Sequence, residues 1–165
     1  MSHAVTEPST IELPDLAATE RLAGALAPLL RDGDVVELHG DLGAGKTTFT
    51  GAVARALGSV EPARSPTYTI AHAYALAGGR TLAHLDCYRQ LGSELDDAAW
   101  GDLEPYFAGD AIALVEWPEP IRPWLADRPT WVLRLEMVTL ESRIARIAPP
   151  ADRVDALAAA LATLG

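Results

Sequence analysis

The feature that most constrains this chain is the pattern G-x-x-x-x-G-K-T over residues 40–47. Glycines allow backbone torsions and close approaches that a Cβ atom blocks, so the amides of such a loop can turn toward one point. A helix that follows the loop adds the positive end of its dipole, and loop and helix together hold a polyphosphate mainly through the main chain. The pattern is the Walker A phosphate loop, and it predicts a strand–loop–helix unit that binds a nucleotide.

The flanking residues favour this interpretation over a glycine-rich turn that binds nothing. Residues 35–39 are apolar and β-branched, which is typical of a buried strand. Residues 48–57 contain good helix formers and end at Gly58, a natural helix terminator. Within the loop, Lys46 brings a positive charge to the outer phosphates, and the Thr47 hydroxyl is a hard oxygen ligand suited to Mg²⁺.

Composition indicates a single globular domain. The chain has 165 residues, of which 49% are hydrophobic and 22% charged, so it can bury a full core. It contains no apolar run of the roughly 20 residues needed to cross a bilayer, and residues 1–8 lack a secretory pattern. Its single cysteine, Cys87, excludes an internal disulfide, and we expect a cytoplasmic protein.

The charge balance limits the role of nucleic acid. There are 23 acidic and 13 basic residues, which gives a formal net charge of −10. A protein that grips nucleic acid by itself usually shows a basic face. We therefore expect any nucleic-acid role to be indirect, with a local basic patch left open.

The remaining pattern predicts further helices and strands, with Asp15, Ser93 and Asp152 as the expected helix caps. The predicted elements are an edge strand over 10–13, a helix from Asp15 to about Leu30, a hairpin over 69–86, a helix from Ser93 to about Trp100, a buried strand over 111–116, an antiparallel pair over 131–136 and 143–147, and a helix after Asp152.

Two acids end predicted strands. Glu116 follows a buried apolar run, as a Walker B acid does, and Asp86 ends another strand. The carboxyl ends of the strands surround the ligand in open α/β sheets, so we expect both acids on one rim with the phosphate loop. The alternatives are a solvent-facing Glu116 and an Asp86 carboxylate paired with Arg89.

Other side chains have two interpretations each. Thr67 lies in the loop after the predicted helix 48–57. Its hydroxyl can close on the γ-phosphate and the metal, or it can be an ordinary turn residue. Trp117 can cover the nucleotide, meet a partner or pack in the core. His39 and His84 lie within strand runs and are expected to be packed rather than to bind a metal.

Taken together, four blocks resemble the TsaE family, small bacterial ATPases required for threonylcarbamoyladenosine formation in tRNA. The blocks are residues 40–49, 65–69, 84–89 and 114–119, and the resemblance runs in order from about Asp15 to Arg143. It implies an α/β fold, a P-loop NTPase three-layer sandwich in which a central parallel sheet is flanked by antiparallel strands. The expected domain is 1–165, with about 149–165 as an extra C-terminal helix or tail that matches nothing in the family.

The resemblance implies Mg²⁺ and ATP as cofactors, slow hydrolysis, and action with the TsaB and TsaD proteins to support or reset threonylcarbamoyl transfer. It implies contact with tRNA only through that complex, and no membrane. The catalytic residues that it implies are Lys46, Thr67, Asp86 and Glu116. The nucleotide contacts that it implies are Thr19, Gly40, Asp41, Leu42, Gly43, Ala44, Gly45, Lys46, Thr47, Thr48 and Trp117, and the metal ligands are Thr47, Asp86 and Glu116.

Two other functions stay open on the residues alone. A small-molecule kinase needs an acceptor pocket and an arginine-bearing lid, for which Arg122, Arg128 and Arg134 are candidates, although prolines and Trp131 interrupt that stretch. A nucleotide-gated scaffold that does not hydrolyse is the other alternative.

Overall fold

The computed structural model describes residues 6–62 and 70–165, which form one seven-stranded mixed sheet with helices packed on it. The strands are β1 Ser9–Leu13, β2 Val35–His39, β3 Ala71–Ala75, β4 Thr81–Asp86, β5 Ile112–Glu116, β6 Thr130–Met137 and β7 Arg143–Ala148. The α-helices are α1 Leu16–Leu26, α2 Lys46–Ala56, α3 Asp97–Leu103 and α4 Val154–Ala162. None of the helices in these two ranges is long and apolar enough to span a bilayer.

The strand order is β1-β7-β6-β2-β5-β4-β3. The central strands β6, β2, β5 and β4 run parallel to one another. The outer strands pair antiparallel, β3 with β4 at one end and β7 with β6 and β1 at the other. A mixed α/β fold with a mostly parallel centre is therefore confirmed, and β1 is the edge strand that the sequence predicts.

Two apolar clusters cover the two faces of the sheet. Because side chains alternate along a strand, Val36 and Leu38 belong to the cluster that α1 and α2 complete. Val35 on the same strand belongs to the other cluster, which contains Leu103 of α3 and Ile121. All five residues of β5 are buried, as an uninterrupted apolar run between two covered faces requires.

The helix ends agree only partly with the sequence. Asp15 is confirmed as the cap of α1, since its Oδ1 accepts from the backbone N–H of Ala18 at 2.7 Å. The helix ends earlier than expected, at Leu26, because the next turn, Ala27–Leu29, contains a proline and is a 3-10 helix. The prediction that Ser93 caps the helix now seen as α3 is wrong.

The cap of α3 is Asp96, whose Oδ1 accepts from the backbone N–H of Ala99 at 2.8 Å. The chain therefore starts this helix three residues later than the sequence pattern predicts. Asp is as good an N-cap as Ser, so the two positions compete on equal terms in the sequence and tertiary packing decides between them.

The last helix is also capped differently from the prediction. A 3-10 turn, Ala151–Arg153, precedes α4, and Asp152 pairs with Arg31 at 3.1 Å instead of capping α4. Arg153 is 4% exposed and donates to both carboxylate oxygens of Asp34, at 2.6 and 3.1 Å. Trp131 donates to the same carboxylate at 3.1 Å. The C-terminal segment is therefore bonded, through Arg153, to the turn that leads into β2.

Candidate functional site

The phosphate loop connects β2 to α2 and requires glycine at two positions. Gly40 has a φ of 146°, and a Cβ there would collide with the carbonyl oxygen of Leu135 on β6. Gly45 has a φ of 104° and directly precedes the first residue of α2. Residues that carry a Cβ atom rarely adopt either backbone conformation, so glycine is required at both positions of the pattern.

The N-terminus of α2 differs from the N-termini of the helices capped by aspartate. Asp15 caps α1 and Asp96 caps α3, each through a side-chain oxygen. By contrast, α2 has no side-chain cap and no acidic residue in its first turn. The first N–H groups of a helix have no partner within the helix, and the helix dipole adds positive potential there. This end of α2 therefore fits an anion such as a phosphate group.

Lys46 is a buried cation held by main-chain carbonyls. Its Nζ donates to the carbonyl oxygens of Gly40 at 2.5 Å and Asp41 at 3.0 Å, and the residue is 5% exposed. Burial lowers the pKa of Lys46, and the carboxylates of Glu116, Asp86 and Asp41 oppose this without cancelling it. A cation whose partners are neutral carbonyls can exchange them for phosphate oxygens.

Glu116 joins the end of β5 to the first turn of α2. Its Oε1 accepts from the Thr47 hydroxyl at 2.8 Å and lies 3.0 Å from Nε2 of His84, in the geometry of a second hydrogen bond. Burial raises the pKa of the Glu116 carboxyl, but the contacts with His84 and Thr47 and the charge of Lys46 outweigh it, so the pKa lies below its ordinary value. The acid is therefore ionised near neutral pH although it is only 4% exposed.

Asp86 lies beside Glu116 because their strands are neighbours. β4 pairs parallel with β5, and Asp86 is the register partner of Glu116. The Oδ1 atom of Asp86 accepts from the backbone N–H of Tyr88 at 3.0 Å, and in the described parts of the chain Asp86 forms no ion pair with Arg89. The strand order thus puts both acids at one edge of the sheet with Lys46, as the sequence predicts.

Trp117 packs over Lys46. The Nζ atom lies 4.6 Å from the centroid of the indole ring, and the ring of Tyr88 contacts the indole edge-to-face at 5.2 Å. Trp117 has a φ of 54° and is the only non-glycine residue with positive φ in residues 6–62 and 70–165. Such backbone strain persists where the surrounding structure imposes it, most often near functional sites. Trp117 is half-buried: it packs partly against the second apolar cluster and lies over the loop's lysine, and its contact with a nucleotide stays a prediction.

A pocket of about 430 Å³ lies between α1, the start of α2 and the segment after β6. Thr19, which is 7% exposed, lines it together with Ala44, Gly45 and Thr48 of the predicted nucleotide contacts. The other lining residues are Asp15, Leu16, Leu135, Leu140, Glu141 and Arg143. The pocket therefore brings Thr19 to the phosphate loop across a cleft whose lining mixes leucine side chains with polar and charged ones, and a cleft of this kind can bind a nucleobase.

The predicted metal ligands fit Mg²⁺ better than a transition metal. No group of three or more His, Cys, Asp or Glu side chains that could hold a metal is found in the described residues. Mg²⁺ usually takes one or two carboxylates together with phosphate oxygens and water, so it needs no such cluster. The Thr47 hydroxyl donates a hydrogen bond to Glu116. The lone pairs of its oxygen are left for a cation, and Asp86 is close by.

Some positions were missed by sequence reasoning or lie outside the described residues. Thr67, the predicted switch hydroxyl, falls in the segment 63–69 that the structure does not describe. His84 is packed, as predicted, but it also contacts Glu116; its position two residues before Asp86 on one strand is the signal that could have shown this. Arg143 contacts the phosphate loop from β7, and no sequence pattern indicates that contact.

Comparison with known proteins identifies the family of this chain. Residues 13–146 match the family model described as threonylcarbamoyl adenosine biosynthesis protein TsaE. A curated relative from Bacillus subtilis, named tRNA threonylcarbamoyladenosine biosynthesis protein TsaE, is 42% identical over 107 residues, which are 65% of each chain. A relative of the same name from Mycobacterium tuberculosis is 38% identical over 152 residues, covering 86% of this chain and 87% of the relative.

A solved structure has the same fold. The crystal structure of Bacillus subtilis YdiB superposes with a TM-score of 0.72 at 30% identity, and the match covers 98% of both chains. The matched region spans just under two thirds of the Bacillus subtilis and Streptomyces coelicolor relatives, 65% and 66% of their lengths. Since the family model covers most of the chain, including the phosphate loop and both strand-end acids, this chain belongs to the TsaE family.

Proposed function

We propose that this chain is a magnesium-dependent ATP hydrolase that supports threonylcarbamoyladenosine modification of tRNA together with the TsaB and TsaD proteins. The observation that carries the proposal is the hydrogen bond of 2.8 Å between Thr47 and Glu116. It joins the hydroxyl of the phosphate loop to the acid at the end of β5, which is the pairing that a Walker A threonine and a Walker B acid make around a metal. The family name of the relatives supports the role in tRNA modification.

Each residue has a distinct part in this proposal. The free amides at the start of α2 and the ammonium of Lys46 bind the phosphates. Thr47, Glu116 and Asp86 would hold Mg²⁺, which when bound neutralises charge that develops on the phosphate oxygens. Asp86, the less buried of the two acids, would orient the attacking water. Thr19 and the walls of its pocket bind the base.

We expect slow hydrolysis by the isolated chain because the phosphate loop has no free positive charge beside it other than Lys46 in the described residues. Phosphate-loop enzymes that turn over slowly usually lack a positive charge that a partner supplies in the transition state. In the part of the chain that the structure describes, the guanidinium nearest the loop, Arg143, is occupied by five backbone carbonyl groups. We propose that the partner contacts the segment around Thr67 and residues 86–100, the second of which begins at Asp86 itself.

The kinase alternative is less well supported because two of its candidate lid arginines have structural partners. Arg122 donates to both carboxylate oxygens of Glu37, at 3.3 and 3.1 Å. Arg128 donates to the carbonyl oxygen of Phe107 at 2.8 Å. A lid arginine has to reach a phosphoryl group, and these two are held by the body of the protein.

Phosphate release with and without TsaB and TsaD tests the proposal. We expect slow release by the chain alone and faster release in the mixture. Lys46→Ala and Glu116→Gln should reduce release by about 100-fold or more, because the first removes the positive charge that binds the phosphates and the second removes the negative charge that would hold Mg²⁺. Arg146→Ala is the matched control, since Arg146 forms a surface pair with Glu136. Nucleotide binding without phosphate release in the mixture would favour the scaffold, and a phosphorylated small molecule would favour the kinase.

A further inference from the structure

The outer side of the phosphate loop rests on the hairpin formed by β6, the turn 138–142 and β7. Gly40 lies against the carbonyl oxygen of Leu135, and a Cβ on Gly43 would stand 3.9 Å from Cε of Met137. The turn is ordered by its own hydrogen bonds, since the Thr139 hydroxyl oxygen accepts from the backbone N–H of Ser142 at 3.0 Å. The loop is thus supported by an element more than 90 residues further along the chain.

Arg143, the first residue of β7, connects the hairpin to the loop. Its Nε donates to the carbonyl oxygen of Ala44 at 2.9 Å, and its Nη2 lies 3.4 Å from that of Gly43. Its Nη1 donates to carbonyl oxygens of the turn. These are Thr139 at 3.0 Å, Leu140 at 3.3 Å and Ser142 at 3.0 Å. One planar guanidinium therefore spans two segments that are remote in sequence.

The partners of Arg143 distinguish it from most other arginines of the protein. Arg31, Arg55, Arg80, Arg122, Arg146 and Arg153 each pair with a carboxylate. Within residues 6–62 and 70–165, Arg143 has backbone carbonyls as its only hydrogen-bond partners. In the described part of the chain Arg143 forms no ion pair with an acid, and it lies at the wall of the pocket that contains Thr19.

These contacts fix the direction of loop amides. The carbonyl of one residue and the N–H of the next belong to the same planar trans peptide and point in opposite directions. Holding the carbonyl of Ala44 therefore turns the N–H of Gly45 away from Arg143. The N–H of Ala44 is fixed separately, since it donates to the carbonyl oxygen of Asp41 at 3.0 Å. Gly45 immediately precedes α2, whose first amides have no side-chain cap and would bind the phosphates in the proposed site.

We propose that Arg143 is a positioning residue that presets the phosphate loop for nucleotide by tying it to the β6–β7 hairpin. This rests on the proposed nucleotide site. A loop that is already in its binding conformation loses less conformational entropy when the phosphates bind. Arg143 therefore sets the affinity for Mg-ATP and the KM, while the rate of hydrolysis of bound ATP, kcat, depends on Lys46, Glu116 and Asp86.

The test compares Arg143→Ala and Arg143→Lys with wild type and with the control Arg146→Ala on the same strand. Three quantities are measured: the Kd for Mg-ATP, the KM and kcat for hydrolysis, and amide hydrogen exchange of the peptide covering residues 40–49 without nucleotide. For Arg143→Ala we expect a Kd and KM raised by about tenfold, a kcat within about threefold of wild type, and faster exchange in that peptide. Arg143→Lys keeps the positive charge but loses the planar set of guanidinium donors. Its Kd, KM and exchange rate should therefore lie between those of wild type and Arg143→Ala.

The exchange measurement keeps this inference separate from the proposed function. Unchanged exchange and unchanged Kd in both Arg143 variants would overturn the role of Arg143 and leave the ATPase proposal standing. A fall in kcat with unchanged KM would also overturn it. If wild type bound no nucleotide, the ATPase proposal would fail. Equal amide exchange in wild type and both variants would in that case overturn the role of Arg143 as well. Arg143→Lys provides the test if Arg143→Ala does not fold.

Discussion

Arg153 donates to both carboxylate oxygens of Asp34, and the two side chains are 5% and 1% exposed. The pair joins the segment after β7, which lies outside the family match over residues 13–146, to the turn before β2. The same guanidinium donates to the carbonyl oxygen of Leu29 at 3.1 Å. The C-terminal segment thus helps to hold the strand that leads into the phosphate loop.

Arg153→Ala is expected to lower the free energy of unfolding by about 3–5 kcal/mol, because it leaves the Asp34 carboxylate buried without its charge partner. Urea unfolding followed by circular dichroism measures the change. Arg31→Ala is the control: its pair with Asp152 is exposed at both side chains, 63% each, and its loss should change stability by about 0.5 kcal/mol or less. Equal effects of the two substitutions would contradict the importance of burial.

Glu37 gives a prediction about acid stability. Burial raises the pKa of Glu37, but the hydrogen bonds from His39 and Arg122 and their charges outweigh it, so the folded-state pKa lies below the ordinary value. A carboxyl with a lowered pKa stabilises the fold fully above its unfolded pKa of about 4.3, and this contribution is lost as the pH falls through the folded value.

Stability should therefore fall more steeply below about pH 4.3 in wild type than in Glu37→Gln, which cannot titrate at this position. Urea unfolding at pH 7, 5 and 3.5 measures the slope. Glu20→Gln is a matched control, because Glu20 is half-exposed and pairs with Arg55 at the surface. Parallel slopes for wild type and Glu37→Gln would show that Glu37 does not contribute to acid unfolding.

Cys87 is predicted to be unreactive in the native protein. It is 0% exposed, and burial, with the nearby charges of Asp86 and Glu119, raises the pKa of its thiol to about 12. Because the thiolate is the reactive form, an aromatic disulfide reagent at pH 8 should modify less than about a tenth of the protein over the time in which it modifies the unfolded chain fully. Rapid modification of folded protein would show that the strand end opens readily.

Local patterns in the sequence predicted the parts of the site that depend on local structure. The glycines of the loop, the strand that ends at Glu116 and the cap Asp15 each follow from residues within a few positions of one another. The family resemblance supplied Thr19, which faces the same pocket as the loop.

Contacts between distant segments were not predictable in this way. The bond from Arg143 to Ala44 joins residues 99 positions apart, and that from His84 to Glu116 joins residues 32 apart. Asp96 rather than Ser93 caps α3, and this too depends on how the helix packs in the fold. A single sequence shows which residues can make such contacts, but only the fold determines which of them meet.

The central claim is that the start of α2 and Lys46 bind the phosphates of a magnesium nucleotide, and calorimetric titration tests it most directly. ATP should bind wild type at least tenfold more tightly with Mg²⁺ than without it and far more tightly than adenosine does, because the phosphates supply most of the binding. Lys46→Ala should lose about tenfold or more in affinity for Mg-ATP, whereas Arg146→Ala should bind as wild type does. Equal affinity of wild type and Lys46→Ala for Mg-ATP, or equal affinity of wild type for ATP and adenosine, would contradict the claim.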